Sequence, residues 1–436
     1  NETYVLKKII PAYKNLAAAI EELKDSGSNK GGLCNYEDGK DYYEYLVRYS
    51  TGSSDSIKDL QKQVEQKRKE DLLQLSELLT KNPILAKESE SYQLDTSDPS
   101  QILAQLKETI KKDFPEAPDA NFTVKYVDEA LEDYLSPAFY LTSPIDDYKE
   151  NSIYINEGSH YEKMKLFTTL AHEGFPGHLY QNVFANTSGL PSVRQLLNYS
   201  GYTEGWATYV EMISYQYAGL DKDLAKVLQL NQSILLSLYA SMDMGIHYQG
   251  WDASDVKNFL SDYGISNASA ANDTYEYILG EPANYLKYYI GYLKFLDLQK
   301  YAKKALSENY TDRAFHEAVL RIGPAPFDII KKYATHNNIY ISSFDYKALE
   351  NMRKIDSNIK LAWLIKEKIN NENINKLLKI NGTQICPKAD NVTKNDIELA
   401  LKNGLRVRLW GVSNEKIMQE VYKFDIDGMT VNFPDK

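Results

Sequence analysis

The nine residues Leu170-Ala-His-Glu-Gly-Phe-Pro-Gly-His178 constrain this chain more than any other stretch. They set two imidazoles and a carboxylate within seven positions and place Gly174, Pro176 and Gly177 around the gap. A helix presents two histidines to one zinc ion when they stand four apart, with a glutamate beside the first to act as general base. Here the second histidine follows six positions after the first, which on an unbroken helix would turn it roughly 120° away. Proline cannot continue a helix without losing a backbone hydrogen bond, and glycine accepts the dihedrals of a tight turn. The stretch therefore predicts a helix ending near His172 and Glu173, a bend, and a second helix resuming over Leu179 to Phe184.

Zinc held by His172 and His178 needs a third protein ligand. Glu204, in Gly201-Tyr-Thr-Glu-Gly-Trp-Ala-Thr-Tyr-Val-Glu211, is the expected one. Trp206, Tyr209, Val210 and Ile213 recur at helical spacing there, so the carboxylate projects from a helix with a packed face. Two histidines, a ligating glutamate and a second glutamate beside the first histidine make the gluzincin arrangement.

His172-Glu-Gly-Phe-Pro-Gly-His178 followed by Glu204-Gly-Trp-Ala207 resembles the bacterial family known as domain of unknown function 885. Other segments match in the family's order over most of the first 335 residues: Gly39 to Leu46, Asn151 to Asn156, Asp243-Met-Gly-Ile-His-Tyr-Gln-Gly-Trp251, Tyr288 to Gly291 and Phe315 to Leu320. The members resemble helical zinc carboxypeptidases and related gluzincins. That implies a large helical fold with a deep central cleft, favouring short peptides over folded proteins. It also implies oxyanion donors beyond the metal motifs, which fall here on His247, Tyr248 and Tyr288, with Asp243 one turn before His247 to orient it. His316 is expected to pack or cap, and His160 and His336 to lie at the surface. For the carboxylate of a carboxypeptidase substrate, Arg321 and Lys287 are the cations considered.

Composition excludes some partners. A net charge of -11 gives nucleic acid no basic face to bind. No apolar run is long enough to span a membrane. Cys34 and Cys386 lie far apart in the sequence, which argues against a disulfide or a cysteine metal site. The chain starts at Asn1 without a methionine, and with the family's habit of export or lipid anchoring this suggests an extracytoplasmic protein, the alternative being cytoplasmic. The 35 tyrosines are expected to fill helix interfaces and groove walls, where a ring with a polar tip suits a half-buried surface.

Along the chain, apolar periodicity predicts helices from Tyr4 to Leu23, from Asp41 to Tyr49, and from Ser56 to Thr80, the last with alternating charges that suit a solvated face. A helix capped by Asp98 or Ser100 follows. Residues Val124 to Asn156 are broken by prolines and by Asp146-Asp147. Within them, Ser152-Ile-Tyr-Ile-Asn156 reads as a short strand placed to pair with an extended substrate. Helices then run from Tyr161 into the motif, from Asp221 to Tyr248, from Asn284 to Leu306 and from Thr311 to Ile322.

After Asn338 strands alternate with helices, the pattern of parallel βα units. This tail resembles the second half of a glycerophosphodiester phosphodiesterase barrel in Ser342-Ser-Phe-Asp345, Gly404 to Asn414 and Asp427 to Asp435. The catalytic residues of that family come mostly from the absent first half, so no phosphodiesterase chemistry is assigned. Half a barrel leaves open sheet edges, which makes the tail a candidate surface for homo-oligomers.

The expectation is a mainly α fold: a helical zincin-like domain at 1–337 with a central cleft and a short strand element, and a small α/β half-barrel segment at 338–436. Its function would be zinc-dependent hydrolysis of peptide bonds in short peptides, by carboxypeptidase or oligopeptidase action, with Zn2+ on His172, His178 and Glu204. Glu173 would take a proton from the attacking water and pass it to the leaving amine. The competing readings are a zinc amidohydrolase acting on a non-peptide amide, and a non-catalytic binding protein stabilised by its metal.

Overall fold

We analysed a computed structural model of the protein, in which 65% of the chain is helical. It describes every residue apart from 1, 25, 28, 93, 95, 145–146, 159–162, 335–339, 356–358 and 432–436, and apart from the side chains of 163, 192, 195, 309 and 334. His160, His336, Asp146, Asp435 and the start of the helix expected at Tyr161 lie outside the described residues. The chain divides into two compact units, Asn1–Thr335 and His336–Lys436.

Eight helices and three strands of the first unit position the site. They are α1 (Gly39–Thr51), α2 (Ile57–Lys81), β1 (Asn121–Tyr126), β2 (Ala138–Leu141), β3 (Glu150–Ile155), α3 (Lys163–Glu173), α4 (His178–Thr187), α5 (Ser200–Ser214), α6 (Lys222–Met244), α7 (Asn284–Leu306) and α8 (Asp312–Ile322). Caps fix several starts: the side chains of Ser56, Asp221 and Thr311 accept backbone N–H groups of the first turns of α2, α6 and α8. Asp98 is the residue that caps the helix Pro99–Thr109. Each such cap is worth about 1 kcal/mol.

The core is built where α5 crosses α7. A Cβ on Gly205 would lie 2.5 Å from Gly291 Cα, so only glycine allows these backbones to meet. Around that crossing Trp206, Tyr202, Tyr209 and Phe295 are buried, with Trp206 edge-on to Phe295 at 5.6 Å between centroids. Burying one aromatic of this size is worth about 4–6 kcal/mol at ~25 cal/mol per Å². The tyrosine expectation holds for Tyr43, Tyr180, Tyr202, Tyr209 and Tyr289, whereas Tyr42, Tyr45 and Tyr49 stand exposed on α1.

Two sequence expectations change here. The charged helix α2 is not only a solvated face, because Arg68 and Asp71 are buried. Arg68 Nη1 donates to Ser237 O at 3.1 Å and to Ser241 Oγ at 2.8 Å on α6, and Ser233 Oγ donates to Asp71 at 2.6 Å. The strand expected at Ser152–Asn156 is not an edge: β3 is the middle of a sheet ordered β1-β3-β2. It pairs parallel with β1 (Val124 opposite Ile153) and antiparallel with β2 (Tyr140 opposite Ile153). The edge that faces α3 is therefore β2.

The run over residues 2–23 is helical but has no buried side chain, and Leu6, Ile9, Tyr13, Leu16, Ile20 and Leu23 are all exposed. Among the described residues no helix is long and apolar enough to cross a membrane.

The second unit has its own core. Five strands, β4 (Tyr340–Ser343), β5 (Lys360–Ile365), β6 (Gln384–Pro387), β7 (Arg406–Val412) and β8 (Gly428–Val431), form a wholly parallel sheet in sequence order. Helices Tyr346–Ile355, Asn371–Lys379, Lys394–Lys402 and Glu415–Val421 alternate with them. Leu361, Ile385, Val407 and Leu409 pack against Leu349, Leu377 and Ile397. This is the small α/β segment with half-barrel topology.

Candidate metal centre

His172 and Glu173 close the last turn of α3, and His178 opens α4. The bend between them depends on one close approach: a Cβ on Gly177 would lie 1.7 Å from the carbonyl oxygen of His172. Any other residue there would push the two imidazoles apart. Trp206 Nε1 donates to Pro176 O at 2.8 Å, so the helix that carries Glu204 also pins the bend. The Gly205–Gly291 crossing brings α7, and with it Tyr288, to the same place.

Glu204 Oε2 lies 3.6 Å from His172 Nε2 and 3.3 Å from His178 Nε2. The imidazoles stand nearly perpendicular, 4.8 Å between centroids. Ligand atoms held at about 2.0–2.1 Å from one tetrahedral zinc ion are roughly 3.3 Å apart, so this donor set fits zinc. Donor atoms of His172, Glu173 and His178 also all lie within 4.8 Å of one another, which makes Glu173 a rival third ligand. Of the two, Glu204 has its oxygen against both Nε2 atoms, whereas Glu173 is engaged on the strand side. The Tyr140 N–H on the edge of β2 donates to Glu173 Oε2 at 2.8 Å.

Behind His172 stands Glu211, which the sequence reading passed over. Its Oε2 is 3.0 Å from His172 Nδ1, fixing the tautomer that leaves Nε2 for a metal. Glu211 Oε1 in turn meets Gln232 Nε2 at 3.3 Å and Lys165 Nζ at 3.8 Å. The signal was present: Glu211 follows Glu204 by seven positions, two helical turns along one face. Burial alone would depress the His172 pKa, but Glu204 and Glu211 outweigh it and push the imidazole up to about 10. Burial likewise opposes ionisation of Glu204 and Glu211, but His172 and His178 hold Glu204, and His172 with Lys165 holds Glu211, below the ordinary carboxylate range.

A cleft of about 550 Å³ opens on this centre, lined by His172, Glu173, His178, Glu204, Tyr140 and Tyr288 among others. The Tyr288 ring is 6.3 Å from that of His172. Burial, then Glu204 and Glu173, raise the Tyr288 phenol well above its ordinary value, keeping it a hydroxyl donor.

The other proposed oxyanion residues do not reach the cleft. His247 is 1% exposed, with Leu33 N–H on Nδ1 at 3.3 Å and Ile278 O at 3.0 Å from Nε2. Tyr248 donates to Glu44 at 2.8 Å. Asp243 does not orient His247: it accepts from Tyr43 OH at 2.5 Å and from Ala283 N–H at 3.0 Å, and burial raises its pKa to about 7. His316 packs, as expected, stacked on Phe114 at 4.0 Å with Asp113 O and Tyr209 OH as partners. Arg321 pairs with Glu317 at 2.8 Å, and Lys287 lies over the Tyr288 ring at 5.2 Å.

Over residues 2–333 the chain matches the model of a bacterial family described as a protein of unknown function, DUF885. A second family model, glycerophosphoryl diester phosphodiesterase, matches residues 283–436 and overlaps the first. No curated protein matches. Among solved structures, a candidate lipoprotein from Colwellia psychrerythraea is similar at a TM-score of 0.66 and 22% identity, over 77% of this chain and 61% of that one. A candidate lipoprotein of unknown function from Shewanella oneidensis gives 0.57 and 17%, over 73% and 63%. The chain thus spans less than two thirds of either structure, and at these identities the likeness shows the fold.

Proposed function

The chain belongs to the DUF885 family, with a phosphodiesterase-like segment at its C-terminal end, and from that premise we propose that it is a zinc-dependent peptidase acting on short peptides. The observation that carries this reading is Glu204 Oε2 at 3.3 and 3.6 Å from two imidazole nitrogens, with a second carboxylate beside them. A structural site needs no such base.

Zn2+ on His172, His178 and Glu204 would supply Lewis acidity and bring the pKa of a water toward 7. Glu173, positioned by the Tyr140 N–H, takes the proton of the attacking water and returns it to the leaving amine. The products are a new carboxylate and a free amine. Tyr288 donates its hydroxyl hydrogen to the oxygen that gains charge. Tyr140 brings the β2 edge to the cleft wall, so an extended backbone lies beside a strand there. An extracytoplasmic location is part of the proposal, supported by the similarity to two candidate lipoproteins.

The test is incubation of the full chain with a mixed library of free peptides, read by mass spectrometry. Cleavage that a chelator abolishes and added zinc restores is the expected result. A protein that binds one zinc and cuts no peptide would refute the peptidase reading.

A further inference from the structure

The metal-centre cleft continues into a second cavity of about 170 Å³. The two share Thr142, Asn182, Ala185, Leu197 and Pro324, so they form one groove. Its charges are divided. At the metal end stand Glu173 and Glu204, with no lysine or arginine among the lining residues. In the second cavity Arg194 is the only charged side chain among the described residues of the lining. The groove thus offers a substrate carboxylate a cationic side chain at the end away from the metal set.

Arg194 is also held in place. Its Nη2 donates to Ile322 O at 2.9 Å and to Pro324 O at 2.7 Å, while Nη1 and Nε carry the remaining N–H donors of the fork. Beside it the wall is polar and fixed: Asn182 Nδ2 donates to Tyr140 OH at 2.9 Å and to Ser143 Oγ at 3.1 Å. A half-buried, pinned guanidinium at the end of a groove suits a carboxylate, which it can meet through one charge-assisted hydrogen bond from Nη1 or Nε.

Helix α4 measures the separation. His178 belongs to the metal set, Asn182 one turn later lines both cavities, and Asn186 two turns later lines only the second. Eight residues of helix rise about 12 Å, and an extended peptide spans about 3.3–3.6 Å per residue. About three substrate residues fit between the bond cut at the metal and a carboxylate at Arg194.

We propose that Arg194 binds the C-terminal carboxylate of the substrate, so that the protein releases C-terminal peptides of about three residues. The inference rests on the peptidase reading and names its substrate class: free-acid peptides cut about three residues from the end. The same Arg194 bonds also satisfy carbonyls at the end of α8, so the test has to separate carboxylate binding from a purely structural role.

The experiment compares kcat/KM for one peptide sequence as the free acid and as the C-terminal amide, using the full zinc-loaded chain unmodified, as Arg194→Met and as Arg194→Lys. The quantity read is the acid-to-amide ratio, which does not depend on how much of each variant is folded. A charged hydrogen bond of this kind predicts a ratio of about 10 to 100 for the unmodified protein, arising in KM. The ratio should fall close to 1 in Arg194→Met and remain intermediate in Arg194→Lys, with peptides of about three residues as the products. Equal cleavage of acid and amide by the unmodified protein, or an unchanged ratio in Arg194→Met, overturns the carboxylate site and leaves the peptidase reading standing. Cleavage of neither substrate overturns both.

Discussion

The helical unit holds two pairs of histidines, one partly buried and one fully buried, that the fold treats in opposite ways. His172 and His178 keep 12% and 15% of their side-chain surface and face carboxylates across a cavity. His247 and His316 are 1% exposed and face backbone groups, a tyrosine hydroxyl and aromatic rings. Burial is the largest influence on His172, His247 and His316 alike and always disfavours the imidazolium. At His172 two glutamates reverse it, whereas at His316 nothing does and the pKa falls to about 4. A histidine set among anions that still touches a cavity is arranged for a cation. One closed off by carbonyls is arranged for packing.

The comparison can be broken most sharply at Glu173. Its replacement by glutamine should lower turnover about 10²- to 10⁴-fold with zinc content unchanged. Loss of zinc along with activity would move Glu173 into the ligand set.

On the packing side, the expected effect is on stability. Because the folded value for His316, about 4, lies below its ordinary 6.5, the unfolded chain takes up the proton first as pH falls. Stability is therefore fully present above about 6.5 and is lost toward pH 4, by about 3 kcal/mol from this residue. His316→Phe, which keeps a flat ring on Phe114, should flatten the denaturant-unfolding free energy over that window and retain zinc. Asp243 titrates in both proteins and cancels. Identical pH slopes would contradict the assignment.

Glu211→Gln should weaken zinc affinity about 10- to 100-fold in chelator competition. An unchanged affinity would make the contact to His172 Nδ1 incidental. The smallest effect belongs to Tyr248→Phe: its hydroxyl serves Glu44, and turnover should change less than about twofold, within the scatter of exposed substitutions.

The legibility of these features followed the range of the interactions behind them. The bend at Gly174–Gly177 could be read locally, because proline and glycine act on their own backbone. The parallel order of the tail could be read as well, because each βα unit pairs with its sequence neighbour. The edge strand β2 was missed although Ala138-Phe-Tyr-Leu141 is a short apolar run between Pro137 and Pro144, a pattern that suits an edge. Which strand lies beside α3 is set by pairing between residues 11 to 17 positions apart. Arg68 and Asp71 looked solvated because their partners Ser233, Ser237 and Ser241 lie on another helix. His247 and Tyr248 came in by family analogy, and only the packing of Leu33, Ile278 and Glu44 shows where they point. The metal ligands were legible because chemistry restricts residue type more tightly than packing does, whereas Tyr140 contributes a backbone N–H that no side-chain pattern reveals.

The most direct test of the central claim is the zinc content of the purified chain combined with X-ray absorption at the zinc edge. The account predicts one zinc per chain with two imidazole nitrogens and carboxylate oxygen in a first shell at about 2.0–2.2 Å, and loss of that zinc in His178→Ala. A chain without zinc, a sulfur-containing shell, or zinc retained in His178→Ala would contradict it.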